Sequence, residues 1–192
     1  MKQQINLKNS VLFAFILSAI AWRIFFSFTH SPIANFTPIG AIALFGGYYF
    51  KDSWKSFALP LLTIWLSDLI LNYFIYYKQW TWFYEGFIYT YGSFALIIII
   101  GRFIPKVSFF TIIFAGISAA LLHWIISDFG VWLDGRMYPK TWEGFATCYI
   151  MAIPYLKNMI ISNIIFSGFM FGLFELMQQK LKFGAIGLDS RK

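Results

Sequence analysis

The sequence predicts an all-α polytopic membrane protein of six transmembrane helices, with both ends in the cytoplasm and a short outer or re-entrant helix before the last span. Three observations carry this. Hydrophobic residues make up 59% of the 192 and charged residues only 12%, with mean hydropathy +0.68, whereas soluble domains are about 25% charged. The apolar residues fall into runs, most of them close to the roughly 20 residues a helix needs to cross a bilayer. The basic residues gather on alternate connections, as the positive-inside rule requires.

The first run, Val11–Phe28, follows Lys2 and Lys8 and resembles a signal peptide. Arg23 and the bulky aromatics after it make a poor cleavage site, which calls for small residues, so an uncleaved first span is expected. The second, Ile39–Phe50, is short and loosened by Gly40, Gly46 and Gly47. Ser56–Tyr77, Phe87–Phe103, Val107–Ser127 and Asn158–Gln178 complete the six. Phe145–Tyr155 is apolar but too short to cross, and Pro154 is expected to end it at the outer surface or as a re-entrant turn. Residues 1–183 thus form one transmembrane domain, and 184–192 a short cytoplasmic tail expected to be disordered.

Orientation follows from the fifteen Lys and Arg residues. With the N-terminus inside, Lys2, Lys8, Lys51, Lys55, Arg102, Lys106, Lys180, Lys182, Arg191 and Lys192 are cytoplasmic. Lys78, Arg136, Lys140 and Lys157 are outside, and Arg23 lies within the first span. Ten against four is the expected bias. Trp80, Trp82, Tyr84, Trp132, Tyr138 and Trp142 then occupy outer connections, where amphipathic rings prefer the interface or cover a binding cavity. The net charge of +7 is explained by topology, and no basic stripe with groove-reading residues points to nucleic acid. A lone cysteine, Cys148, forms no internal disulfide.

Polar side chains inside a membrane are costly, so their depth is informative. At about 1.5 Å of rise per residue, Asp68 lies near the middle of its span with Asn72 one turn further out. By the same rise, Arg23, Asn163 and His123 lie roughly 5, 7 and 9 Å outward of their midpoints, and Asn158 is close to the outer surface. The inner half holds only Glu175. This one-sidedness is expected of an outward-open cavity above an apolar floor. Each residue also has a plainer reading: Asp68 pairs with Arg23 for packing, Arg23 snorkels, Asn72 and Asn163 are interhelical glue, and His123 donates to a carbonyl. The predicted site comprises Arg23, Asp68, Asn72, His123, Asn158 and Asn163, roofed by Asn35–Thr37 and walled by Trp132, Tyr138 and Trp142. No nucleophile, metal-ligand or phosphate-loop motif occurs, so the expectation is a non-enzyme without cofactor or bound metal.

Several motifs carry a resemblance. Asn35-Phe36-Thr37-Pro38-Ile39-Gly40-Ala41-Ile42-Ala43-Leu44-Phe45-Gly46-Gly47 resembles the opening motif of a family of bacterial membrane proteins of unknown function. Ser67-Asp68-Leu69-Ile70-Leu71, Asp128-Phe129-Gly130-Val131-Trp132-Leu133, Tyr138-Pro139-Lys140-Thr141, and Cys148-Tyr149 leading to Pro154-Tyr155 and Asn158 follow in the family's order. The family carries Asn or Asp at the positions of Asp128 and Asn163. It is similar in size and span count to the substrate-binding S-components of energy-coupling factor (ECF) transporters. That similarity implies a vitamin-like or metal micronutrient bound at the outer face beneath the loop joining the first two helices. It also implies release by toppling and a separate transmembrane coupling subunit with two ATPases, in the bacterial cytoplasmic membrane. Ala14 with Ser18, and Ala43 with Gly47, offer small-xxx-small matches for a partner or for internal packing. The alternative function is a structural or assembly subunit of a membrane complex; an intramembrane enzyme using Asp68 and His123 is weaker still.

The topology predicts a labelling pattern. In a Cys148→Ser background, cysteines replacing Lys55, Arg102 and Lys182 are shielded from an impermeant thiol reagent in intact cells, and one replacing Lys140 labels. The opposite pattern inverts the topology.

Overall fold

The computed structural model describes residues 2–28, 35–50 and 52–189. Most of the predicted lid, His30–Ala34 with Pro32, lies outside them. The described chain is helical with no strand: α1 (Lys2–Phe28), α2 (Ile39–Tyr49), α3 (Ser53–Leu71), α4 (Phe87–Arg102), α5 (Phe109–Asp134), α6 (Trp142–Met151) and α7 (Ile153–Asp189). Three helical stretches, Trp54–Tyr76, Phe109–Asp134 and Ile153–Gln179, are long and apolar enough to cross a membrane. Shorter apolar stretches lie at Phe13–Phe26, Ile39–Tyr49 and Phe87–Arg102. Large apolar side chains such as Phe103, Phe109, Phe110 and Phe114 point outward. That surface suits lipid, and the chain is a membrane protein.

α2 is the hub. It packs chiefly on α4 and also on α3, α7, α5 and α1, and all of its residues except Tyr48 are buried. Its small residues permit this. A side chain at Gly47 would collide with the Ile98 carbonyl, and one at Gly101 with the Leu44 backbone, so α2 and α4 touch backbone to backbone. Without a hydrophobic force between helices in lipid, such close van der Waals contact is what holds them together. Phe45 fills the next layer, edge-on to Phe171 and Phe174 of α7 at 5.4 and 5.3 Å.

Several boundaries differ from the sequence expectation. α5 continues to Asp134, seven residues past Ser127, and stops at Gly135, whose left-handed φ of 75° suits a residue without Cβ. Pro154 does not end the short outer helix; it sits in the first turn of α7, where its missing N–H costs nothing. α7 stays helical through Asp189, past Gly184, where an irregular tail was expected. α3 runs into a π-helical turn, Asn72–Tyr76, before the connection to α4.

The reciprocal glycines generate a stability prediction. Gly47→Ala and Gly101→Ala should each destabilise the detergent-solubilised protein by about 1–3 kcal/mol through overpacking. Gly92→Ala, whose added methyl meets nothing within 4 Å, should be neutral or mildly stabilising on helix propensity. Unfolding midpoints of the three variants check this.

Candidate functional site

The site begins with the shortness of α2. Eleven residues span only about 16 Å at 1.5 Å each, against roughly 30 Å of hydrocarbon. Above its first residue, Ile39, a cavity of about 310 Å³ opens among the ends of the neighbouring helices. Arg23 of α1, Asn35 and Thr37 before α2, Ile64 of α3, Thr90 and Phe94 of α4, His123, Ser127, Asp128 and Val131 of α5, and Met159 of α7 line it, with Tyr84 from the connection between α3 and α4. A wider recess of about 620 Å³ adjoins it, and Tyr84, Thr90, Ser127 and Val131 line both. Across that recess Arg136 bridges Glu85 and Asp134.

Arg23 is fixed in place. Its Nη2 donates to Asp68 Oδ1 at 2.7 Å, and its Nη1 donates to Ser67 Oγ. The Tyr91 hydroxyl donates to the other carboxylate oxygen, Asp68 Oδ2, at 2.9 Å. Both oxygens of Asp68 are therefore engaged, and Asp68 is not among the cavity's lining residues. Asp68, one of the site residues predicted from sequence, instead holds the guanidinium that reaches the cavity.

His123 is oriented from α4. Ser93 Oγ lies 2.7 Å from His123 Nδ1 and donates its one proton to the Thr90 carbonyl at 2.6 Å. A hydroxyl that has given its proton away can only accept. The imidazole is therefore assigned the tautomer with N–H at Nδ1, and Nε2 offers a lone pair. The ring packs on Phe94 at 4.8 Å between centroids.

The roof is set by Asn35, whose positive φ of 65° is tolerated by a short polar side chain. Trp22 pins the segment: its indole N–H donates to the Phe36 carbonyl at 2.7 Å, and its ring packs edge-on against Phe166 of α7. Tyr84 closes another side, and burial, reinforced by the charge of Asp68, pushes its phenol up to about 12, so it stays a neutral donor.

Of the predicted site residues, Arg23, Asn35, Thr37 and His123 line one cavity, with Asp68 behind Arg23. The others lie elsewhere. Asn72 is buried, but its amide donates to the Thr81 carbonyl at 3.1 Å and its own carbonyl accepts from Tyr77 and Lys78, so it ends α3 and ties down the following connection. Asn163 donates to the Gly116 carbonyl at 3.2 Å and fills the space that a side chain at Gly40 would need, clamping α7 to α5 and α2. Trp132 donates to Pro139 O at 3.2 Å and packs on Phe145, and Trp142 is 86% exposed. Those two and the half-buried Tyr138 belong to the outer rim, not to the cavity wall. Asn158 does not line the cavity, although its neighbour Met159 does.

Thr90, Ser127 and Asp128 were not foreseen as lining residues, and Tyr84 was read only as an interfacial aromatic. The i, i+4 spacing of His123, Ser127 and Val131, one face of a helix, is the signal that could have found Ser127. Among the described residues no three His, Cys, Asp or Glu side chains group to hold a metal ion.

Over residues 3–185 the sequence matches a family model described as a family of unknown function, DUF6580. The chain belongs to DUF6580. No curated protein and no solved structure matches this DUF6580 chain.

The ion pair generates a stability prediction. Arg23→Met leaves the Asp68 carboxylate largely buried without its partner and should cost about 3–5 kcal/mol. Adding Asp68→Leu should recover much of that loss, giving a coupling well outside additivity in a double-mutant cycle. Additive losses would mean the pair is not coupled.

Proposed function

We propose that this DUF6580 protein is a membrane-embedded binding protein that captures a small micronutrient, vitamin-like or metal, from the outer face for uptake, in the manner of an ECF transporter S-component. The observation that carries the reading is the cavity above the short α2, because it joins polar groups from α1, α4, α5 and the connections before α2 and α4 over an almost wholly apolar floor. Its volume of about 310 Å³ is at the lower end of ligand pockets, which run about 300–1,000 Å³. A floor of Ile, Ala, Leu and Phe side chains packed to exclude water is what a capture protein needs to prevent leakage inward.

The proposal includes six spans with both termini in the cytoplasm, in a bacterial cytoplasmic membrane. The ten-to-four charge bias supports it. So does the shared end of the bundle from which the Tyr84 connection and the last turns of α5 reach the cavity, since both belong to outer connections on that topology. The Asn35–Thr37 segment at the cavity corresponds to the first-to-second helix loop beneath which S-components bind. Energy would come from a transmembrane coupling subunit with ATPases. Of the two small-residue pairs, Ala43 and Gly47 are consumed internally against α4, whereas Ala14 and Ser18 remain exposed on α1 and available to such a partner.

The test is purification from native membranes followed by mass spectrometry of what denaturation releases. One small molecule at near-stoichiometric yield is expected, and Ser127→Phe, which fills the cavity, should abolish it. Protein that carries no small molecule, yet co-purifies stoichiometrically within a larger complex, would instead be a structural or assembly subunit.

A further inference from the structure

The chemistry that lines this cavity is lopsided, and the lopsidedness selects a ligand. Among the described residues, the charged groups near it are Arg23, Asp68 and Asp128. Arg23 and Asp68 cancel, because they are paired at 2.7 Å and Tyr91 occupies the remaining Asp68 oxygen. Asp128 has no ion pair and its carboxylate accepts no hydrogen bond among the described residues; only its backbone carbonyl is engaged, by the Cys148 thiol at 3.4 Å. The two acidic residues of the neighbouring recess, Glu85 and Asp134, share the single cation Arg136 and leave that recess net negative as well. Among the described residues, the uncompensated charge at the cavity itself is that of Asp128.

His123 adds to the same bias. Its Nδ1–H is committed to Ser93, so the group it can offer is the Nε2 lone pair, an acceptor. A carboxylate and a neutral imidazole acceptor in one partly buried pocket are incompletely satisfied by protein, and unmet acceptors are costly there. What they lack is a donor with positive charge. The packed Phe94 ring and the Tyr84 ring border the same space, and aromatic faces attract cations.

On the capture reading above, we propose that the ligand is a compact organic monocation with N–H donors, a protonated amine or amidine on a small ring skeleton, held by Asp128 with His123 as second acceptor. Asp128 is the specificity-determining contact, and the Arg23 guanidinium that reaches the cavity is charge-compensated by Asp68 behind it. An anionic vitamin would meet the Asp128 charge without a free cation to offset it.

The test uses the full-length protein purified from its own membranes in detergent. Molecules released on denaturation are identified, and direct binding is measured for two charge series on constant skeletons. These are tryptamine, tryptophol and indole-3-acetate, and benzylamine, benzyl alcohol and benzoate. The expected result is a released cation and binding confined to the amines. Asp128→Asn, close to isosteric, should lower cation occupancy at least tenfold, Asp128→Glu should restore part of it, and Glu143→Gln, an exposed carboxylate on α6, should change nothing. A folded Asp128→Asn protein, judged by its unfolding midpoint, that keeps its cation overturns the role of Asp128. Release or preferential binding of a neutral or anionic molecule overturns the cation inference and leaves the capture reading standing. No released molecule and no binding across both series removes both.

Discussion

Moving a carboxylate or a guanidinium out of water costs several kcal/mol per ion even after relaxation, and the pairing of Arg23 with Asp68 is the constraint around which the cavity end of this bundle is arranged. The pair fixes α1 against α3. Tyr91 extends the network to α4, and the Ser67 hydroxyl, itself bonded back to the Thr63 and Ile64 carbonyls at 2.9 and 2.8 Å, supports the guanidinium from below. Once Arg23 is held there, the helix carrying it also carries Trp22, which fixes the Phe36 carbonyl and with it the roof. A single electrostatic requirement thus sets the relative placement of α1, α3, α4 and the segment leading into α2.

The opposite end of the bundle is built on a different principle. There the reciprocal glycines of α2 and α4 let two backbones meet, and polar groups are few. Arg102 donates to Ser56 at 3.1 Å, and Glu175 accepts from the Tyr49 hydroxyl. Tight packing below and a polar network above give the molecule one closed and one open end. The short α2 marks the boundary between them, because where the helix stops, the space it would have filled is left open as the cavity.

How much of this could be read from the sequence depended on which coordinate was needed. The places of the apolar helices along the chain were legible, because apolar run length marks them. Of the residues chosen by depth, Arg23 and His123 line the cavity. Depth failed for Asn72 and Asn163, since residues at one level can face any direction around their helices, and rotation about the axis is set by packing that no single sequence displays. Asn72 turned toward the connection after it, and Asn163 toward Gly116 and Gly40. Asp128 was hidden for another reason. Ending the fifth span at Ser127 put Asp128 in a connection, whereas the helix runs on to Asp134 and keeps Asp128 within it. Asp68, conversely, was found for its cost in the membrane, and that cost is offset by two protein partners behind the cavity rather than in its lining.

The shortness of α2 also has an electrical consequence. In the proposed orientation the cavity is continuous with the outer solution, so the membrane potential does not fall evenly over the full bilayer. It is concentrated across the apolar layer beneath, which is little thicker than the roughly 16 Å length of α2. Each elementary charge crossing that layer exchanges about 2.3 kcal/mol with the field per 100 mV, in about half the usual distance. With the cell interior negative, the field at the floor of a cavity so oriented favours inward movement of positive charge and opposes that of negative charge, so on the proposed function voltage would act as a second selector beside the chemistry of the cavity.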